Sequence, residues 1–134
     1  MALVTRLPGA HIDASTGMLM PTLSGDKYAG EALDAVAPCY LATDGKYYMC
    51  DGTAANVKAK VAGWTPKAYK NGDVIDLIQG IGFVASYGSG LTPGAILYLA
   101  TTKGRLDTAA TTGDAVGVAQ VLEDGAMIRA TRLI

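Results

Sequence analysis

Histidine is nearly missing from this sequence. His11 is the only one, and it is accompanied by two cysteines, one tryptophan and one phenylalanine in 134 residues. One histidine and two cysteines fall short of the ligand set of a structural zinc site. Charge is also scarce: 17% of residues are charged, and the formal net charge is -1. Soluble domains usually carry about 25% charged residues. The balance excludes the global basic field with which nucleic-acid-binding domains attract phosphate. No apolar run approaches the roughly 18 residues of a membrane span, so no membrane partner is expected. The opening "MALVTRLPGAHIDAS" lacks a basic stretch followed by a long apolar one, and no signal peptide is expected. No pair of acidic residues is placed for acid–base work. The acids Asp44, Asp51, Asp73, Asp114 and Asp124 fall at turns, where a carboxylate can accept from the local backbone.

What is present is half apolar, with 17 glycines spread between short apolar runs. Such a chain is long enough for one domain with its own core. The low charge has two readings: apolar surface hidden between subunits, or a compact β domain rich in Gly and Ala. From Ala37 onward the strand signals are continuous: "PCYLAT", "KYYMC", "KVAGWT", "VIDLI", "GIGFVAS", "AILYLA", "AVGVAQVL" and "AMIRATRLI". Turn signals separate them, among them Asn71-Gly72, Pro93-Gly94, Lys103-Gly104, Gly113-Asp114 and Asp124-Gly125. Eight or so short strands predict an all-β fold, a small barrel or sandwich. "DGTAANVKAK" has room for one short helical turn. Residues 1–28 differ. They hold Pro8, Pro21 and no sustained periodicity, and read as an extended N-terminal arm before a domain at 29–134. Leu3, Val4, Leu7, Met18, Leu19 and Met20 are its candidate anchors.

One word occurs twice, as Tyr40-Leu41-Ala42-Thr43 and as Tyr98-Leu99-Ala100-Thr101, 58 residues apart. The stretches downstream of the two copies also rhyme: a turn, a short apolar strand, a Gly-Asp or Asp-Gly turn and an alternating strand. This predicts an internal pseudo-repeat in which the word is a strand leading into a turn. Within each copy, Tyr and Ala face one way and Leu and Thr the other. If Asp44-Gly45 is a two-residue hairpin turn, Cys39 lies opposite Cys50 at a Cα separation near 5.5 Å. That spacing permits a disulfide, but the bond would close a hairpin that the turn already closes and add little, so two buried or reduced thiols are expected.

Chemical constellations are few. "TTKGRL" places its glycine after the lysine, the wrong order for a phosphate-binding loop. His11, Asp13 and Ser15 resemble a triad written in a row, but alternate residues of an extended chain stand about 6.7 Å apart. A nucleophile and its base need about 3 Å. Lys58, Lys60, Lys67 and Lys70 form the one charge cluster, with no acid between Asp51 and Asp73 and with Trp64 and Tyr69 interleaved. Three roles fit it: a solvated edge that repels strand pairing, a face for an acidic protein surface, or a small single-stranded nucleic-acid site. Nothing in the sequence argues for an enzyme, a metal or a cofactor.

The ordered series Gly30-Glu31-Ala32-Leu33, Pro38 through Asp44-Gly45, Val61-Ala62-Gly63, Gly72-Asp73-Val74, Leu91-Thr92-Pro93-Gly94, Leu97-Tyr98-Leu99, Gly104-Arg105-Leu106, Gly113-Asp114-Ala115-Val116, Val118-Ala119-Gln120 and a final "IRATR" resembles the head decoration, or capsid cement, proteins of tailed phages. The resemblance spans residues 29–132. It implies a small β-barrel or β-tulip domain, commonly a homotrimer, on the outer surface of a virion and made in the host cytoplasm. Its partner would be the major capsid protein at three-fold or quasi-three-fold positions, where it stabilises the expanded shell. The family carries no catalytic residues. On this reading Leu3, Val4, Arg6, Leu7, Met18, Leu19 and Met20 are the expected contacts to capsid or a neighbouring subunit, with Lys58, Lys60, Lys67 and Lys70 as a second docking group. The alternative is a nucleic-acid-binding module built on the same lysines and Trp64.

Overall fold

The structure, a computed structural model, describes residues 3–8, 11–13, 22–23, 27–79 and 81–131, with 11–13 and 22–23 described as backbone. The fold is all-β. Eleven strands are described: β1 His11–Asp13, β2 Thr22–Leu23, β3 Pro38–Leu41, β4 Tyr47–Met49, β5 Gly63–Trp64, β6 Leu77–Ile78, β7 Val84–Ser86, β8 Ile96–Leu99, β9 Leu106–Asp107, β10 Ala119–Val121 and β11 Met127–Ala130. They form two antiparallel sheets, one ordered β1-β7-β11-β10-β8-β9 and the other β2-β6-β5-β3-β4. Both orders are linear, so the described strands make two open sheets and not one closed barrel. The expected helical turn is a single 3-10 turn at Val57–Ala59, capped by the Asn56 side chain accepting from Lys58 N–H.

The two sheets repeat one plan. In each, the hairpin that opens on the repeated word (β3–β4, then β8–β9) receives a returning strand along its first strand (β5, then β10). The register is the same: Pro38 faces Trp64 and Cys39 faces Gly63, as Ile96 faces Gln120 and Leu97 faces Ala119. Backbone hydrogen bonds follow suit. Ala62 N–H donates to Cys39 C=O and Thr65 N–H to Ala37 C=O; Val118 N–H donates to Leu97 C=O and Val121 N–H to Ala95 C=O. Val36 N–H reaches Thr65 C=O as Gly94 N–H reaches Val121 C=O. The pseudo-repeat is thus present as a shared ladder.

Val36 shows what the shared ladder demands. It is the one non-glycine residue described with positive φ, at 52°, and its counterpart Gly94 has φ 83°. A left-handed residue with a Cβ costs roughly 1–2 kcal/mol. Val36 is fully buried, so its side chain offsets that strain by leaving water. The two turns also close differently. Ala95 N–H donates directly to Thr92 C=O at 3.1 Å. In the first half the Thr65 hydroxyl stands between the equivalent groups, donating to Asp34 C=O at 2.5 Å and accepting from Ala37 N–H at 3.0 Å.

The two copies of the word face their surroundings in opposite senses. Tyr40 points into the large core and Leu41 is 48% exposed, whereas Leu99 is fully buried and Tyr98 only half so. The large core lies between the sheets and holds Trp64, Phe83, Tyr87, Leu97, Leu99 and Ile128. A second, smaller core covers the other face of the five-stranded sheet, with Leu33, Cys39, Met49, Tyr69 and Leu77. The Trp64-bearing face of that sheet corresponds, in the six-stranded sheet, to a face carrying Ile96, Tyr98 and Gln120, none of which is buried.

The hairpin register corrects one expectation. Cys39 faces Met49, not Cys50. The turn takes three residues, with Ala42 N–H donating to Lys46 C=O, Gly45 N–H to Ala42 C=O, and Gly45 in the left-handed region at φ 83°. That is a type I turn closed by a left-handed glycine. The extra residue moves Cys50 one position along, and side chains one apart point to opposite faces. Cys50 therefore sits in the large core and Cys39 in the small one, and both are free thiols.

Residues ahead of β3 close both hairpin edges. Val4 N–H donates to Leu106 C=O on β9, and Gly30 N–H donates to Tyr47 C=O on β4. These two acceptors are equivalent positions in the repeat. An unpaired strand edge is a template for unwanted pairing, and here Val4 and Gly30, both ahead of β3, cover one edge each. Gly30 passes so close beneath Tyr48 that a Cβ there would overlap the ring. Further on, β1 pairs with β7 and β2 with β6.

Replacing Thr65 by Val keeps the shape and deletes the bridging hydroxyl, leaving Asp34 C=O and Ala37 N–H without their partner. Loss of a buried hydrogen-bond partner costs about 1–3 kcal/mol. Urea unfolding followed by Trp64 fluorescence should show that loss, and an unchanged midpoint would mean that the turn closes directly as Thr92–Ala95 does.

Candidate interaction surface

The residues expected to make external contacts divide sharply. Val4 is 4% exposed and belongs to the large core. Arg6 is held by three groups of its own chain: Nη1 pairs with the Asp34 carboxylate at 3.0 Å, Nη2 donates to Gly104 C=O, and the guanidinium lies 5.5 Å over the Tyr87 ring. These two residues anchor the N-terminal segment. Leu3 and Leu7 remain 44% and 37% exposed beside them. Met18, Leu19 and Met20 lie outside the described residues, as does Ser15 of the "HIDAS" run.

Lys58, Lys60, Lys67 and Lys70 are all exposed, and none is in an ion pair among the described residues. Lys67 Nζ stands 5.5 Å over the Tyr69 ring. Trp64 is fully buried and meets Phe83 edge-on at 5.7 Å, so it offers no ring face to a base. The turn acids behave as their positions predict. Asp44, Asp51, Asp73 and Asp124 each accept from a nearby backbone N–H. Asp114 goes further. It is buried, and its carboxylate accepts from Leu99, Val116 and Gly117 N–H, tying β8 to the loop before β10.

Sequence patterning missed a cleft beside the N-terminal segment. Arg6, Leu7 and Pro8 form one side; Asp34, Ala35, Ala68 and Arg105 complete it around a volume of about 280 Å³. Arg105 donates from Nη2 to Val4 C=O at 2.9 Å and has no carboxylate partner among the described residues. The Nε atoms of Arg6 and Arg105 and the Tyr87 hydroxyl are buried without a hydrogen-bond acceptor or donor of normal geometry. Burial pushes the Tyr87 phenol's pKa up, and the two guanidiniums beside it draw it part of the way back. The signal in the sequence was thin: Arg6 and Arg105 are 99 positions apart, and only the pairing of the N-terminal segment with β9 joins them.

Among the described residues no cluster of His, Cys, Asp and Glu could hold a metal ion, and no helix is long and apolar enough to cross a membrane. No family model, curated protein or solved structure matches the chain.

Burial is the main force raising the pKa of both thiols far above the ordinary 9.0, with nearby negative charge adding to it. Below pH 9 both folded and unfolded thiols are protonated. Above it the unfolded chain loses its thiol protons first, so unfolding gains free energy and stability falls as pH rises. Unfolding free energies measured from pH 8 upward should decline, and less steeply in a Cys39→Ala/Cys50→Ala variant. In the native protein at pH 8 a thiol-reactive disulfide reagent should react slowly with both cysteines, and at once when urea is added; rapid reaction without urea contradicts the burial.

Proposed function

We propose that this chain is a decoration protein of a tailed-phage head, binding the outside of the expanded shell as a homotrimer and holding neighbouring capsid subunits together. The observation that carries this reading is an imbalance between the two halves. The face bearing Tyr40, Trp64 and Ile78 is buried in the five-stranded sheet, while its counterpart with Ile96, Tyr98 and Gln120 is left partly open. Val116 next to it is 65% exposed. A chain with little charge and such a face is suited to association, where burial of apolar area drives binding.

The segments that resemble decoration proteins include those that build both hairpins and their returning strands, so the resemblance falls on the repeated body. Leu3 and Leu7 stand exposed on a segment that Val4 and Arg6 fix in place. A contact residue held by its own fold loses little freedom on binding. Three such segments in a trimer would add weak contacts into avidity. The nucleic-acid alternative retains four lysines, without Trp64 as a stacking ring.

The decisive experiment adds purified protein to expanded, undecorated heads and locates it by cryo-electron microscopy, with solution mass measured by light scattering. Density at three-fold positions and a three-copy mass are expected. A Leu3→Glu/Leu7→Glu variant, which spares the Val4 and Arg6 anchors, should lose occupancy by tenfold or more, on the order of 1.4 kcal/mol. Bare heads after incubation with the native chain would end the reading; full occupancy by the variant would remove the N-terminal segment from the contact.

A further inference from the structure

We propose that the cleft between Arg6 and Arg105 is a receptor for a single carboxylate group. The inference stands apart from the capsid reading, because it rests on the charge balance and geometry of the cleft alone.

Two guanidiniums and one carboxylate line the cleft, so it holds one uncompensated positive charge. Asp34 does not neutralise both arginines. Its carboxylate pairs with Arg6, its side chain is 53% exposed, and it makes no ion pair with Arg105. Arg105 spends Nη2 on Val4 C=O and lacks an anionic partner among the described residues. The Nε–H groups of both arginines are buried without a hydrogen bond of normal geometry, and the group beside the two guanidiniums is the neutral Tyr87 phenol, which offsets no charge. A buried or half-buried charge of this kind is costly unless an opposite charge comes to it.

Size and shape select the ligand. A volume of about 280 Å³ is at the small end for ligand sites and suits one short acid. Leu7, Pro8, Ala35 and Ala68 supply apolar walls for the methylene stem of such an acid. Both Nη groups of Arg6 are engaged, so Arg105 Nη1 is the group left to donate to a carboxylate, and a charge-assisted bond of that kind is a strong one. The position is also set rigidly. Arg6 is fixed by Asp34, Gly104 and Tyr87, and Arg105 by the backbone of the N-terminal segment, so the receptor is preformed wherever that segment is docked.

Nuclear magnetic resonance reads the site directly, because the buried Nε–H protons of Arg6 and Arg105 are shielded from exchange with water. Three probes are compared at constant ionic strength: N-acetyl-glutamate methylamide, which offers a side-chain carboxylate; N-acetylglycine, which offers a terminal one; and N-acetyl-glutamine methylamide, which offers neither. A saturable shift of both Nε–H signals with the glutamate probe, absent with glutamine, assigns the cleft to acidic side chains. The same result with N-acetylglycine alone keeps the carboxylate and assigns the source to a chain terminus. Asp34→Asn removes the competing acid from the solvent-facing side and should tighten binding about threefold to tenfold. Arg105→Gln should abolish the shift at Arg6. The proposal is overturned if neither carboxylate moves the signals more than the glutamine probe does, or if Asp34→Asn leaves the midpoint where it was.

Discussion

The short ladder between each hairpin's opening strand and its returning strand sets the terms for everything else in this protein. It is made of a few backbone hydrogen bonds in one register, used once in each sheet. Because backbone groups must be paired when buried, the ladder tolerates little change, and side chains have adapted around it. Val36 accepts a left-handed backbone where the other half has Gly94. Thr65 supplies a hydroxyl where the other half closes the turn with backbone alone. The two halves have diverged around the one feature that holds the strands together.

That divergence gives the halves different surfaces. With one ladder and opposite faces turned inward, the first half acquires two covered faces and a small second core, and the second half keeps one face turned out. In a chain with so little charge, this asymmetry is what leaves a partly apolar face uncovered. A fully symmetric pair of half-sheets would have buried both faces or exposed both. The partly exposed residues around Ile96 and Tyr98 are where a partner would find apolar area. The N-terminal segment contributes Leu3 and Leu7 and, with Arg105, the positively charged cleft.

Much of this was legible in the sequence, and the limits have physical causes. Period-two apolar runs and glycine turns located eight strands, since alternation and turn chemistry act over a few residues. The repeated word exposed the duplication because the same backbone position was filled by the same side chains. The hairpin register departs by one from the expected pairing. Asp44-Gly45 fits a two-residue turn as well as the last two positions of a three-residue one, and that choice decides which core each cysteine enters. The strands at His11–Asp13 and Thr22–Leu23 carry no periodic signal, being edge strands defined by what they pair with. The Arg6–Arg105 cleft was invisible for the same reason: it depends on a contact between the first and last thirds of the chain.

That long-range contact bears on how the protein comes into being. Residues 3 and 4 leave the ribosome well before the strand they pair with: Leu3 bridges to Asp107 and Val4 bonds to Leu106. Residues 3–8 must therefore wait, with their apolar side chains unsatisfied, until β9 has been synthesised. Contacts of this sequence separation are slow to form. The N-terminal segment is a latch that can close only once β9 exists, and a chain cut short before β9 has nothing for it to close on.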